Sequence, residues 1–267
     1  MPGPHVIDRG SRPRTGRNLL TIIGFQRVTA AGARGSVDRI GDDGAVSQGR
    51  QAASRRAEVV PERLAGWLER FAASHGSVRT EAGPERVVLT ADDGAVARLA
   101  VPFPPLAVRD DLPAGGLVEH ALAVRRIGVL LVRRGGHAAG VFEGERLVAS
   151  KVGSRHVQGR SAAGGWSQQR FARRRAGQAR VALEAAAEVA AAVLVPVAAT
   201  LDAVVVGGDR RSVDSVFGDS RLAPLRPLVV APLLDVPDPR RSVLDATPAR
   251  FRAVRVEVTD PAPSPVD

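Results

Sequence analysis

Apolar and polar positions change rhythm several times along the 267 residues, and each change predicts an element. After Val59-Val60-Pro61, the residues Leu64, Trp67, Leu68 and Phe71 recur at intervals of three and four, which predicts a helix opened by Pro61 and closed by Gly76. Residues 86–90 and 95–101 read as strands joined by Asp92-Asp93-Gly94, a hairpin turn. Helix and hairpin predict a small α+β unit over 58–105, bounded by Pro102, Pro104 and Pro105. From residue 121 the rhythm shifts to strands at 126–133, 137–143 and 146–153, with 156–158 extended. A long helix is predicted from Gln168 to about Val195, where Ala172, Ala176, Ala179, Leu183, Ala186, Ala190 and Val193 keep one stripe and Pro196 stops it. A strand at 203–206 ending in Gly207-Gly208, a helical segment at 211–219 and a strand at 228–230 follow. Three antiparallel strands, a helix and a further strand predict an α+β fold with a mixed sheet, RNase-H-like in order, over 119–235. Residues 1–57 lack periodicity and read as a disordered basic leader, or as residues ahead of the true start. Residues 236–267 read as a Pro-rich tail with one strand at 251–258.

Composition narrows the chemistry. The chain has no cysteine, which removes disulfides, thiolate metal sites and cysteine nucleophiles together. His5, His75, His120, His137 and His156 show no metal-ligand spacing, so no metal or cofactor is expected. Aromatics are only 3%, which argues against single-strand binding by base stacking. No uninterrupted apolar run long enough for a bilayer is read, so a cytoplasmic protein without a membrane span is expected.

Net charge is +10, and its distribution matters more than its size. Residues 151–180 carry Lys151, Arg155, Arg160, Arg170, Arg173, Arg174, Arg175 and Arg180, and no acid. A patch of this kind attracts phosphates in a salt-dependent, sequence-independent way. At its centre lies Gly159-Arg160-Ser161-Ala162-Ala163-Gly164-Gly165-Trp166-Ser167-Gln168-Gln169-Arg170-Phe171-Ala172-Arg173.

This segment resembles the middle domain of the archaeal and eukaryotic class-one release factors, whose GGQ loop leads into a helix beginning S-x-x-R-F-A-R. Ser167, Arg170, Phe171, Ala172 and Arg173 hold those helix positions here. The chain is most similar to the Vms-like release factors of actinobacterial type, over roughly 58–235. Trp166 stands where an ungapped match would put the catalytic glutamine. The Vms-like branch has that glutamine one residue later, as GGSQ. Gln168 reproduces the Ser-Gln pair with Ser167, and Gln169 is its rival, turned by about 100° on a helix of 3.6 residues per turn.

The resemblance implies hydrolysis of the ester that holds a nascent peptide on tRNA, with the large ribosomal subunit, its rRNA and peptidyl-tRNA as partners of a monomeric factor. Gly164 and Gly165 let backbone approach the ester without a Cβ in the way. A glutamine amide both donates and accepts, so it can place a water. Arg160, Arg170, Arg173, Arg174, Arg175, Lys151 and Arg155 suit RNA phosphates, and Trp166 either stacks on a base or folds back onto the domain. Nothing before residue 58 resembles a codon-reading domain, so release without a stop codon is expected. Two other readings stand beside this one. A non-catalytic ribosome- or tRNA-binding module would share the fold; a nuclease would have to draw its carboxylates from Glu143, Glu145 and Asp202, too few for two metals. His156 is weighed as a general base and read instead as an ordinary strand residue.

Overall fold

The computed structural model describes residues 25–27, 54–133, 136–154 and 167–261, with side chains over 54–133, 136–154 and 176–261. Its strands form two sheets. The first is built from β1 (Phe25–Arg27), β2 (Ser54–Val59), β3 (Val78–Ala82), β4 (Arg86–Ala91), β5 (Val96–Ala100) and, from the far end of the chain, β11 (Val254–Thr259). Their order is β1-β3-β4-β5-β11-β2.

Helix α1 (Pro61–His75) closes one face of this sheet. Leu64, Leu68 and Phe71 are buried against Val87, Leu89 and Leu99, and Trp67 stacks on Phe71 at 5.5 Å between ring centroids. Those strand residues alternate with exposed or half-buried neighbours, the period-two pattern of a sheet covered on one side. At the expected turn, Asp93 accepts the Ala95 backbone N–H at 2.9 Å and pairs with His75 at 2.7 Å.

The first unit is larger than the helix and hairpin read from the sequence. Residues 54–57, read as leader, belong to β2, and β11 lies between β5 and β2, antiparallel to both. Val254 and Val256 are buried in the first core, although their partners precede them by more than 150 residues. Short strands whose partners are so distant carry no local signal beyond alternation. Residues 1–24 and 28–53 of the expected leader lie outside the described residues.

A short α2 (Leu117–Leu122) leads into the second sheet, of β6 (Arg126–Arg133), β7 (Gly136–Glu143), β8 (Arg146–Ser154), β9 (Ala203–Gly208) and β10 (Val229–Leu234). The order is β10-β9-β6-β7-β8. β6, β7 and β8 run antiparallel in sequence, while β9 is parallel to β6 and β10 to β9. This is the RNase-H-like arrangement expected. Helices α3 (Ser167–Leu194) and α4 (Arg210–Phe217) cover one face; the short α5 (Arg241–Asp245) and α6 (Pro248–Phe251) cover the other. β6 is buried on both sides, Leu130 and Val132 facing α3 and Val129 and Leu131 facing α5, hence its unbroken apolar run.

The stripe expected along α3 packs over only part of its length. Ala186, Ala190 and Leu194 are fully buried, but Ala176 and Ala179 are exposed and Val181 is 38% exposed. The reason is length. The helix has 28 residues, about 42 Å at 1.5 Å each, while the nine residues of β8 span about 30 Å. Its N-terminal part therefore overhangs the sheet. By length and mean hydropathy (1.9) Ala176–Thr200 passes as a membrane span, unlike the reading from uninterrupted runs. In this fold the apolar side of its second half is taken up by the sheet.

Arg252 and Phe251 tie the units together. Arg252 reaches Glu62 on α1 at 2.5 Å and Glu145 in the β7–β8 turn. Phe251 packs edge-on against both Phe103 and Phe142. The Arg252 side chain is only 13% exposed, so Arg252→Ala removes packing and both ion pairs. We expect a loss of about 1–2 kcal/mol in chemical denaturation, small because both glutamates regain water. A second expectation concerns acid. Asp219 accepts from the Arg221 guanidinium at 2.7 Å and from the Arg221 backbone N–H at 2.9 Å, and together these hold the carboxyl down at about 2, from an ordinary 3.8. A depressed carboxylate contributes stability above its unfolded value that is lost as pH falls through the folded one. Wild type and Asp219→Asn should thus converge in thermal melts between pH about 4 and about 2.

Candidate functional site

Strand β8 ends at Ser154 and α3 begins at Ser167, so the glycine-bearing segment joins the edge strand of the second sheet to its long helix. Arg155, His156, Arg160, Gly164, Gly165 and Trp166 lie outside the described residues. Ser167, Gln168, Gln169, Arg170, Arg173, Arg174 and Arg175 belong to the first two and a half turns of α3, as far as its backbone is concerned. Positions 170, 173 and 174 fall along one side by helical periodicity. No acid stands in the first turn. Lys151 lies on β8 and is exposed.

Where β8 hands over to this segment, packing is tight. Gly153 pairs with His137 and Ser154 with Gly136 across β7 and β8. His137 is 5% exposed, and a Cβ at Gly153 would come within 2.3 Å of its Nε2. Only a residue without a side chain lets the imidazole lie across the strand. Pro239 covers Gly136, and a groove of about 410 Å³ runs between this strand end and Asp238, Arg240 and Arg241.

The topology collects further groups here. β6, β9 and β10 are parallel, so their carboxyl ends share one edge of the sheet with the end of β8, the edge where open mixed sheets usually place their sites. At that edge stand Arg133, which pairs with Asp235 at 2.7 Å, and the start of α4, capped by Asp209 through the Ser212 N–H at 3.2 Å. Arg210 and Arg211 open α4, and Arg240 and Arg241 open α5. Sequence reasoning did not single these out. They are separated from the loop by 40 to 80 residues and only the sheet order unites them.

The carboxylates weighed for a nuclease gather at the opposite edge. Asp202 accepts the Arg126 backbone N–H at 2.6 Å, Glu143 is paired with Arg126 and Arg146, and Glu145 with Arg252. Each is engaged with an arginine, Asp202 through a backbone N–H, and all three lie a full strand length from the end of β8.

Residues 125–257 match the family described as Actinobacteria/chloroflexi VLRF1 release factor, a span that includes all five strands of the second sheet and α3. Among solved structures, the chain is similar to the crystal structure of the archaeal translation termination factor aRF1, with 19% identity and a TM-score of 0.37, over 61% of this chain and 51% of that one. It is also similar to a structure described as an archaeal protein, with 18% identity and a TM-score of 0.34, over 61% and 50%. The chain thus spans about half the length of the solved structures it matches. No curated protein matches it. Through residues 125–257, the chain belongs to the Actinobacteria/chloroflexi VLRF1 release factor family.

Proposed function

We propose that this release factor hydrolyses peptidyl-tRNA on the large ribosomal subunit without a stop codon, freeing nascent peptides from stalled complexes. The observation that carries the reading is that the family match spans 125–257, and so contains both anchors of the glycine-bearing segment, β8 and α3, in an order that suits the fold. Water attacks the carbonyl of the ester, the bond to the ribose 3′ oxygen breaks, and a peptide carboxylic acid and a free 3′ hydroxyl result. Gly164 and Gly165 bring backbone N–H groups to the developing oxyanion or the leaving oxygen. Gln168, or Gln169 beside it, holds the water, with Ser167 at the helix start. It is too weakly basic to remove the proton by itself. Arg155, Arg160, Lys151, Arg170, Arg173, Arg174 and Arg175 hold RNA phosphates, and Trp166 stacks on a nucleobase. The factor acts as a cytoplasmic monomer without a cofactor.

One observation favours a second reading: Trp166 occupies the position of the family's usual glutamine. A non-catalytic module would bind large subunits and turn over nothing. Purified large subunits carrying labelled peptidyl-tRNA separate the two. Release of the peptide with no messenger present supports hydrolysis; binding without release ends that reading in favour of the module.

A further inference from the structure

We propose that Arg210, Arg211 and Arg240 form a second RNA-binding rim, which docks the loop-bearing edge of the second sheet against folded ribosomal RNA. The inference rests on the release-factor reading but uses none of the loop residues.

Three observations carry it. First, all three arginines are exposed and none has an acid partner among the described residues, whereas Arg133 and Arg241, at the same edge, are paired with Asp235 and Asp245. Second, Arg210 and Arg211 sit in the first turn of α4, which contains no acid. Cations there oppose the helix dipole and leave helix stability worse, and residues that break a stability rule without local compensation mark functional positions. Third, the register places them beside the ends of strands β6 and β8, the second of which leads into the loop. Asp209 donates its backbone N–H to the Val132 carbonyl at 2.9 Å, and Pro239 lies over Gly136, the partner of Arg133. The two clusters therefore flank the end of β6, their backbones on the order of 10 Å apart, two interstrand spacings.

Geometry selects the kind of RNA. Arg210 and Arg211 lie on the α3 side of the sheet and Arg240 on the α5 side. A single strand threading toward the loop would follow one side. Positive charge on both sides fits a wall that surrounds the tip of the domain, so the partner is the folded RNA of the large subunit and not the acceptor strand of tRNA. Guanidinium groups at such a rim supply phosphate contacts without base specificity.

The test compares the full-length protein with Arg210→Ala/Arg211→Ala/Arg240→Ala and with the corresponding triple lysine variant, in binding to purified large subunits across a salt series. The alanine variant should bind about tenfold or more weakly near physiological salt, with a slope of log affinity against log salt shallower by about 2 to 3. The lysine variant should keep the wild-type slope. Release at saturating factor should be unchanged while the half-saturating concentration rises. An unchanged affinity and slope overturns the rim, as does an equal loss on deacylated tRNA alone or a loss shared by the lysine variant. A wild type that binds and responds in this way but releases no peptide leaves the rim standing and removes the hydrolase reading instead.

Discussion

Alanine at Gln168 is expected to slow peptide release from large-subunit peptidyl-tRNA by on the order of 100-fold, the usual cost of losing one preorganised polar group at a reacting centre. Affinity for the subunit should hardly change, because the amide contributes to placing one water and not to the phosphate contacts. The loss should therefore appear in kcat, with the half-saturating concentration unchanged. Gln169→Ala in the same assay is the discriminating partner. Both residues belong to the first turn of α3, and adjacent helical positions point about 100° apart, so only one of them can serve the same water. If Gln169→Ala loses the activity and Gln168→Ala keeps it, the assignment passes to Gln169. If neither matters, water placement by glutamine is wrong for this chain. Thermal melts of both variants should match wild type, since alanine is at least as good a helix former as glutamine and neither change alters charge.

Gly208→Ala should have the largest effect on stability. Gly208 ends β9 with φ at +104°, where a side chain is strained, and a Cβ there would lie 2.1 Å from the Val132 carbonyl oxygen. The obstacle is the backbone of the central strand and cannot rotate away. Positive φ and a backbone clash together should cost about 3 kcal/mol or more. For a domain of this size that corresponds to a melting temperature lower by roughly 6–12 °C. Release at subsaturating factor should fall as well, because the same turn sets the arginines at the start of α4. A variant that melts within 2 °C of wild type, within the ~2–4 °C that 1 kcal/mol commands, would show that β9 can shift against β6 and would refute this account.

Much of the fold was readable from local pattern. The unbroken apolar run of β6 needs burial on both faces, and the alternation of β4 needs one covered face, so both strands announce their surroundings. Pro61 and Gly76 bracket α1, and the Asp-Asp-Gly turn closes its hairpin within a few residues. The basic, acid-free stretch from Lys151 to Arg180 and the S-x-x-R-F-A-R start of α3 were equally local, and they carried the family resemblance that the match over 125–257 supports.

Pairings across long separations were decided by the tertiary structure alone. β11 is six residues of alternating valine at the far end of the chain, and its place between β5 and β2 follows from the edges those strands leave open, not from anything in its own composition. The exposure of Ala176 and Ala179 likewise depends on where the sheet stops, which a helical stripe cannot express. The arginines at positions 210, 211 and 240 read as ordinary surface charge until parallel strands bring their ends to one edge. Local rhythm records which face of an element is covered, because burial acts on each side chain separately. Which elements meet is settled by the free energy of the whole assembled sheet, and that sum is not written at any one position.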